Sequence, residues 1–415
     1  MKTLLLLATA TAAVIAAPPE PKFTAQDIDR TVKIGYGTAI ADVDGDKLPD
    51  ILLADARQIR WYKNPGKRGA DWPRYVIAEE LTKNDNVCIA AQDIDGDGKC
   101  EVAIGAEWNP GDTEKSGAVF YLIPPADRTQ KWEPVKFPSV EPTTHRMKWV
   151  RLGEKEWGLV VLPLHGRGNK NGEGAPVKVQ LYRKPADMKA EWKSEVIDES
   201  MHATHNFDAA TQSKGDAATG FQRLLYIAGK EGVIEVTKSE GKWGSVPVVA
   251  GASSQKQGDL PDNNDVITAA IGDPTFKGAG EIRVGRLQKS FIATIEPMHG
   301  NQLIVYKAGT ALPKMDRHAL TDKLNQGHAL ACGDLLGLGS DQITVGWRGA
   351  KPGDSVGLAV WTPLDDKGEQ WRETIVDKET ACEDLALADL DGDGKLDIIA
   401  AGRASHNLRI LWNER

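Results

Sequence analysis

The sequence predicts an all-β protein: a seven-bladed β-propeller of four-stranded blades, its ring closed by an N-terminal strand that completes the last blade. Three observations predict it. An acidic nonapeptide recurs three times, and strand-like segments repeat around it every ~50–65 residues, in the range of propeller blades. The two ends of the chain carry complementary leftovers.

The clearest nonapeptide, Asp389-Leu-Asp-Gly-Asp-Gly-Lys-Leu-Asp397, lies between the apolar runs Leu385–Ala388 and Ile398–Ala401 and reads as strand, loop, strand. Its positions 1, 3, 5 and 9 are Asp389, Asp391, Asp393 and Asp397. Asp42, Asp44, Asp46 and Asp50 repeat that pattern, as do Asp93, Asp95, Asp97 and Glu101. Carboxylates this close repel one another unless a cation joins them. Oxygen donors at that density suit Ca²⁺, so three rim calcium sites are expected. The twelfth position of the last copy is Ala400, which excludes an EF-hand, whose loop needs Glu there. The plainer alternative is a set of solvated acidic turns.

Other copies are worn. Gly333–Asp341 keeps the glycines and only the outer acids, and Gly272–Glu281 is a longer variant. Met147–Leu164 and Asn206–Ala228 keep the strands and lose the acids. Units then start near residues 34, 85, 145, 202, 264, 327 and 382.

Within a unit, a small-residue strand leads into the loop and a β-rich strand follows. A third ends on an aromatic, as at Tyr62, Tyr121, Tyr182, Tyr306 and Trp412, and a fourth opens near Trp72, Trp132, Trp192, Trp243 or Trp371. No helical period competes with this reading. The tryptophans are expected to pack blades, not ligands. Gly285–Ser290 has no place in the repeat. The last unit stops after its third strand, while Phe23–Ile28 precedes the first unit without a parent. Pairing these two closes the ring and hides both edges.

The chain has 415 residues, 41% hydrophobic and 27% charged, with a net charge of −8. That balance argues against nucleic acid as the main partner, since phosphate binding needs a basic face. Met1–Ala17 carries Lys2, the apolar run Leu4–Leu7 and small residues, and reads as a signal peptide too short to span a membrane. No other run approaches a membrane span. Residues 18–415 are therefore expected to form one secreted or periplasmic propeller. Of the four cysteines, Cys88 and Cys100 lie at opposite ends of one predicted hairpin, too far apart for the ~6 Å Cα spacing of a disulfide. Cys332 and Cys382 fall on neighbouring repeats, where a pair is open, but buried free thiols are the expectation.

The Asp-x-Asp-Gly-Asp loops, each followed by a short strand, resemble the FG-GAP or VCBS repeats of secreted bacterial proteins and of integrin α-chain propellers. That resemblance covers nearly the whole mature chain and implies calcium at a propeller rim. Ala293–Gln302, Gly327–Ala331 and Thr344–Arg348 resemble the propeller part of the aldos-2-ulose dehydratase family. It implies metal-dependent elimination of water from keto-sugars. The length leaves room for the propeller without the cupin domains of that family, so the resemblance transfers no catalytic role.

Propeller topology turns loop order into geometry. Loops joining strands one and two share one face, and those joining strands four and one or two and three share the other. His145, His202, His205 and His328 begin units, while His165, His299 and His406 follow second strands, so seven of the eight histidines gather opposite the acidic loops. Tyr36, Asn86, Asp265 and Glu383 join them at the axis. The catalytic candidates are His145, His202, His205, His328, Tyr36 and Glu383. The substrate-binding candidates are Trp108 and Trp347, which can stack on a sugar ring, Arg167, Arg348 and Arg403, which can hold carboxylates or keto oxygens, and His165, His299 and His406. Imidazoles beside carboxylates, with His202-x-x-His205 as a hint, suit a divalent transition metal or Mg²⁺ at the central channel. Polar residues satisfying loop backbone are the plainer alternative.

Two functions fit. One is a secreted carbohydrate lyase or dehydratase working by β-elimination, with a histidine or tyrosine base and metal or arginine stabilising an enolate. The other is a non-catalytic glycan- or protein-binding module with structural calcium.

Overall fold

The structure is a computed structural model that describes residues 17–138, 140–170, 172–209, 222–250, 277–308 and 315–415. The expected signal peptide (save Ala17), Asp265 and the first half of Gly272–Glu281 lie outside them. Seven four-stranded antiparallel sheets form the ring. Their inner strands, in order, are Gly37–Ala41, Cys88–Gln92, Thr144–Arg151, Thr204–Ala209, Glu281–Arg286, Gly327–Gly333 and Cys382–Ala388. Among the described residues no helix is long and apolar enough to cross a membrane.

The seventh blade closes as the leftovers predict. Phe23–Asp29 pairs antiparallel with Leu408–Asn413, the last strand of the chain. Trp412 donates its indole N–H to Gln26 at 2.8 Å, and Arg409 grips Asp27 at 2.7 Å.

Blades pack through the residues the repeat marks. Trp192 stacks on Phe137 with centroids 4.8 Å apart, beside Tyr121. Trp132 and Trp72 are buried in neighbouring core clusters. Truncating such a residue to alanine costs about 3–5 kcal/mol. All four thiols are free. A Cβ on Gly105 would sit 2.4 Å from Cys88 Sγ, and one on Gly346 would sit 2.6 Å from Cys382 Sγ. These cysteines fill the space that glycines leave.

The ninth loop position fastens neighbouring blades. Asp50 accepts the backbone N–H of Val43 and of Asn64, and the Asn64 side chain reaches the carbonyl of Leu390 in the seventh blade at 2.7 Å. Asp397, Asn413 and Leu335 repeat the device between blades seven and six. In blade two Arg128 takes the carbonyl of Val43 at 2.9 Å instead.

Two repeat assignments shift. In blade six Gly333 pairs with Gln342 as Ala388 pairs with Asp397. Asp334 therefore holds position one, Gln342 holds position nine, and Asp341 falls one short of it. In blade five the inner strand begins at Glu281, and Gly285–Ser290 is the end of that strand, the turn and the start of the next. The sheet is complete without Asp265.

Four inner strands share one irregularity. Their pairing slips between Thr144 and Arg146, Thr204 and Asn206, Gly327 and Ala329, and Cys382 and Asp384. The skipped residues are His145, His205, His328 and Glu383. A β-bulge leaves one residue unpaired and re-aims its side chain, and here it does so four times at the same end of the ring.

Candidate functional site

The acidic loops occupy one face. Their positions one, three and nine converge: Asp42, Asp44 and Asp50; Asp93, Asp95 and Glu101; Asp389, Asp391 and Asp397 each bring ligand oxygens within 4.8 Å of one another. Position one also accepts loop amides, as Asp389 does from Gly392 and Gly394. Position five stands apart. Asp46, Asp97 and Asp393 cap the amides two residues on. Lysine and arginine lean on the loops: Lys63 on Asp44 and Asp46, Arg68 on Asp391 and Asp393, Lys184 on Asp95. Burial, with a neighbouring carboxylate adding to it, pushes Asp50 and Glu101 up to about 7 and Asp397 up to about 6. Asp44 Oδ1 is buried without a hydrogen-bond partner. Three carboxylates with an orphaned oxygen fit a hard cation.

The opposite face carries a depression of about 260 Å³. The bulged residues build its floor. The Nδ1 of His145 contacts the carbonyl of His205 at 2.8 Å, that of His205 the carbonyl of Gly280 at 3.0 Å, and that of His328 the carbonyl of Glu383 at 2.6 Å. Each imidazole thus reaches the start of the next blade's inner strand. A carbonyl only accepts, so the proton sits on Nδ1 in all three and the lone pair on Nε2. Burial holds all three well below the ordinary histidine range, and the Arg146 guanidinium adds to the effect. They are neutral.

His299 arrives from the turn after the second strand of blade five, with a left-handed φ of 53°. Its Nε2 stands 2.7 Å from that of His205, and its ring stacks on His328 with centroids 4.9 Å apart. Burial, reinforced by His205 and the two guanidiniums nearby, lowers it to about 2. Nitrogens of His205, His299 and His328 lie within 4.8 Å of one another. Neutral imidazoles, two of them with the far nitrogen pinned by a hydrogen bond, fit a divalent transition metal. Behind His205, Glu281 Oε1 lies 3.2 Å from Nδ1 and has no hydrogen-bond partner of its own.

Around this trio, Glu383 accepts from Arg348 at 2.7 Å and Arg403 at 3.0 Å. Arg403 lies over the ring of Tyr36, whose hydroxyl donates to Asp85 at 3.1 Å. Burial and Asp85 raise the Tyr36 phenol. Trp108 stacks on His145 with centroids 5.0 Å apart.

Five expected residues stand outside the depression's lining. His202 pairs with Glu231 at 2.9 Å and is 42% exposed, so His202-x-x-His205 does not act as a pair. Arg167 donates to the carbonyl of Glu114, His406 contacts the carbonyls of Val32 and Lys33, and Trp347 packs against a blade core. His165 is half-buried with an unpartnered Nδ1.

Sequence reasoning missed Glu281 and Asp85, which hold His205 and Tyr36, and it missed Arg146. Strict alternation after His145 sends it away from the depression, but the bulge lets both residues line it. It also lines a second cavity of about 450 Å³ running down the central channel. A polar residue following a histidine at the start of an inner strand was the available signal.

Fold and site together define a seven-bladed propeller with acidic loops on one face and a histidine-rich depression on the other. Residues 42–104 match the family model of the FG-GAP-like repeat, and residues 116–308 match that of the β-propeller domain of aldos-2-ulose dehydratase. Over 352 residues the chain is 24% identical to aldos-2-ulose dehydratase of Phanerodontia chrysosporium, covering 79% of this chain and 35% of that protein. It spans about a third of that relative's length. Among solved structures, BBS1N in complex with ARL6DN shares the fold at 12% identity and a TM-score of 0.54, over 94% of this chain and 96% of that one.

Proposed function

We propose that the protein acts on carbohydrate as a metal-assisted lyase or dehydratase, eliminating water from a keto-sugar or related saccharide. The convergence of His205, His299 and His328, with the Nδ1 atoms of His205 and His328 pinned, carries the reading. The likeness to the aldos-2-ulose dehydratase propeller supports a sugar as ligand. Bound there, a divalent ion would supply Lewis acidity toward a carbonyl oxygen. His145 takes the proton next to the carbonyl on Nε2 once Arg146, which donates to that lone pair, turns aside. Tyr36 lines the same depression, and its proton, held by Asp85, would turn to the departing oxygen and protonate it. Trp108 offers a flat face for the ring. The C–H and C–O bonds break, a C=C bond forms, and water leaves. Calcium in the three rim loops stabilises blades one, two and seven, and the protein is secreted or periplasmic after loss of Met1–Ala17.

The test is ultraviolet absorbance of a conjugated enone when the zinc-loaded protein meets keto-sugars and uronides. His145→Gln and Tyr36→Phe should each abolish the signal while leaving zinc binding intact. Wild-type protein that binds sugars without turning any over would instead support the non-catalytic glycan-binding module.

A further inference from the structure

We infer that Arg146 makes this site selective for sugars carrying a carboxylate over their neutral counterparts. The inference rests on the sugar-site reading above and narrows its substrate class. Arg146 donates to His145 Nε2 and to the His145 carbonyl, both at 3.0 Å. Among the described residues it has no carboxylate within ion-pair distance. The other two guanidiniums of the depression differ, because Arg348 and Arg403 share Glu383.

Charge bookkeeping then decides the class. The lining holds three guanidiniums and one carboxylate, and its imidazoles are neutral. Deeper in the channel, Asp208 and Glu281 are matched by Lys148 at 3.1 Å and Arg283 at 3.6 Å, and Asp384 is held by the Thr38 amide and hydroxyl at 2.7 and 2.9 Å. A divalent ion on three neutral histidines adds two more positive charges. A net positive lining in a partly desolvated cavity is costly, and an anionic ligand relieves it. A guanidinium presents a planar fork that matches a carboxylate. Arg146 sits at the junction of the depression and the central channel, where it can turn from His145 to such a ligand.

The experiment is calorimetric titration of the zinc-loaded full chain with glucuronate and galacturonate, with glucose and galactose, and with acetate. A hexuronate should bind at least tenfold more tightly than its parent hexose, and its affinity should fall as salt rises. Arg146→Gln should bring the ratio of hexuronate to hexose affinity close to one, whatever it does to sugar affinity in general. Hexose and hexuronate binding alike would overturn the inference and leave the sugar site standing. Acetate binding as tightly as hexuronate would overturn it in favour of a bare carboxylate site. Failure of every saccharide to bind would overturn both readings. Should Arg146→Gln not fold, the wild-type preference and its salt dependence decide the matter.

Discussion

His205 Nε2 and His299 Nε2 stand 2.7 Å apart, while His205 commits its Nδ1 proton to the carbonyl of Gly280. The His205 lone pair therefore points at His299. Two lone pairs at that distance repel, so His299 Nε2 either carries the proton of a hydrogen bond to His205 or would share a cation with it. With a nitrogen of His328 also in reach, a cation satisfies all three rings, whereas a proton satisfies two.

Glu281 is expected to set the orientation and basicity of His205 from 3.2 Å. Glu281→Gln should weaken zinc binding by about 10–100-fold, the usual effect of losing an outer-shell carboxylate. Competition against a chelating dye measures it, and an unchanged affinity would assign Glu281 to packing alone.

Calcium should stabilise the ring through the acidic loops. At a hundredfold excess over its Kd, each independent site adds about 2.7 kcal/mol. Scanning calorimetry should show Tm rising by several degrees with calcium. Asp389→Asn combined with Asp391→Asn should remove part of that rise. Tm indifferent to both calcium and EDTA would contradict the rim sites.

Asp29 should make the fold acid-sensitive. Burial alone would raise its carboxyl, but hydrogen bonds from Tyr62, Thr31 and Arg74 outweigh it and hold the group near 2, below its ordinary 3.8. A depressed carboxyl contributes stability that is present above the unfolded value and lost as pH falls through about 2. Asp29→Asn should lower the urea midpoint at pH 6 and flatten its decline on acidification. A variant that loses stability in parallel with wild type down to pH 2 would show that Asp29 does not titrate with folding.

Removing Phe23–Asp29 should open the ring at blade seven. Leu408–Asn413 then becomes an edge with unpaired backbone groups, a template for association. Light scattering and size-exclusion chromatography should show oligomers, and a well-behaved monomer would contradict closure by this strand.

The blade count, the closing strand and the opposition of acidic and histidine faces were all legible, because each follows from repeat order. Three things were not. Blade five offers only the lengthened copy Gly272–Glu281, which reads as a loop between strands where the structure begins the inner strand at Glu281. In blade six the worn loop offers glycines and few acids to align on, so Asp341 reads as position nine where the pairing gives Gln342. The bulges were invisible, since nothing in Thr144-His-Arg or Thr204-His-Asn announces a skipped pair. Without them His202 and His205 look equivalent, whereas only the bulged His205 is turned toward the axis.

The most direct measurement is elemental analysis of protein purified without chelator and dialysed against excess calcium. The account predicts a single zinc, manganese, nickel or other transition-metal ion retained per chain, lost on His205→Ala combined with His328→Ala while the β-sheet circular dichroism persists. Wild-type protein that retains calcium and no transition metal, and takes none up when offered, would contradict it.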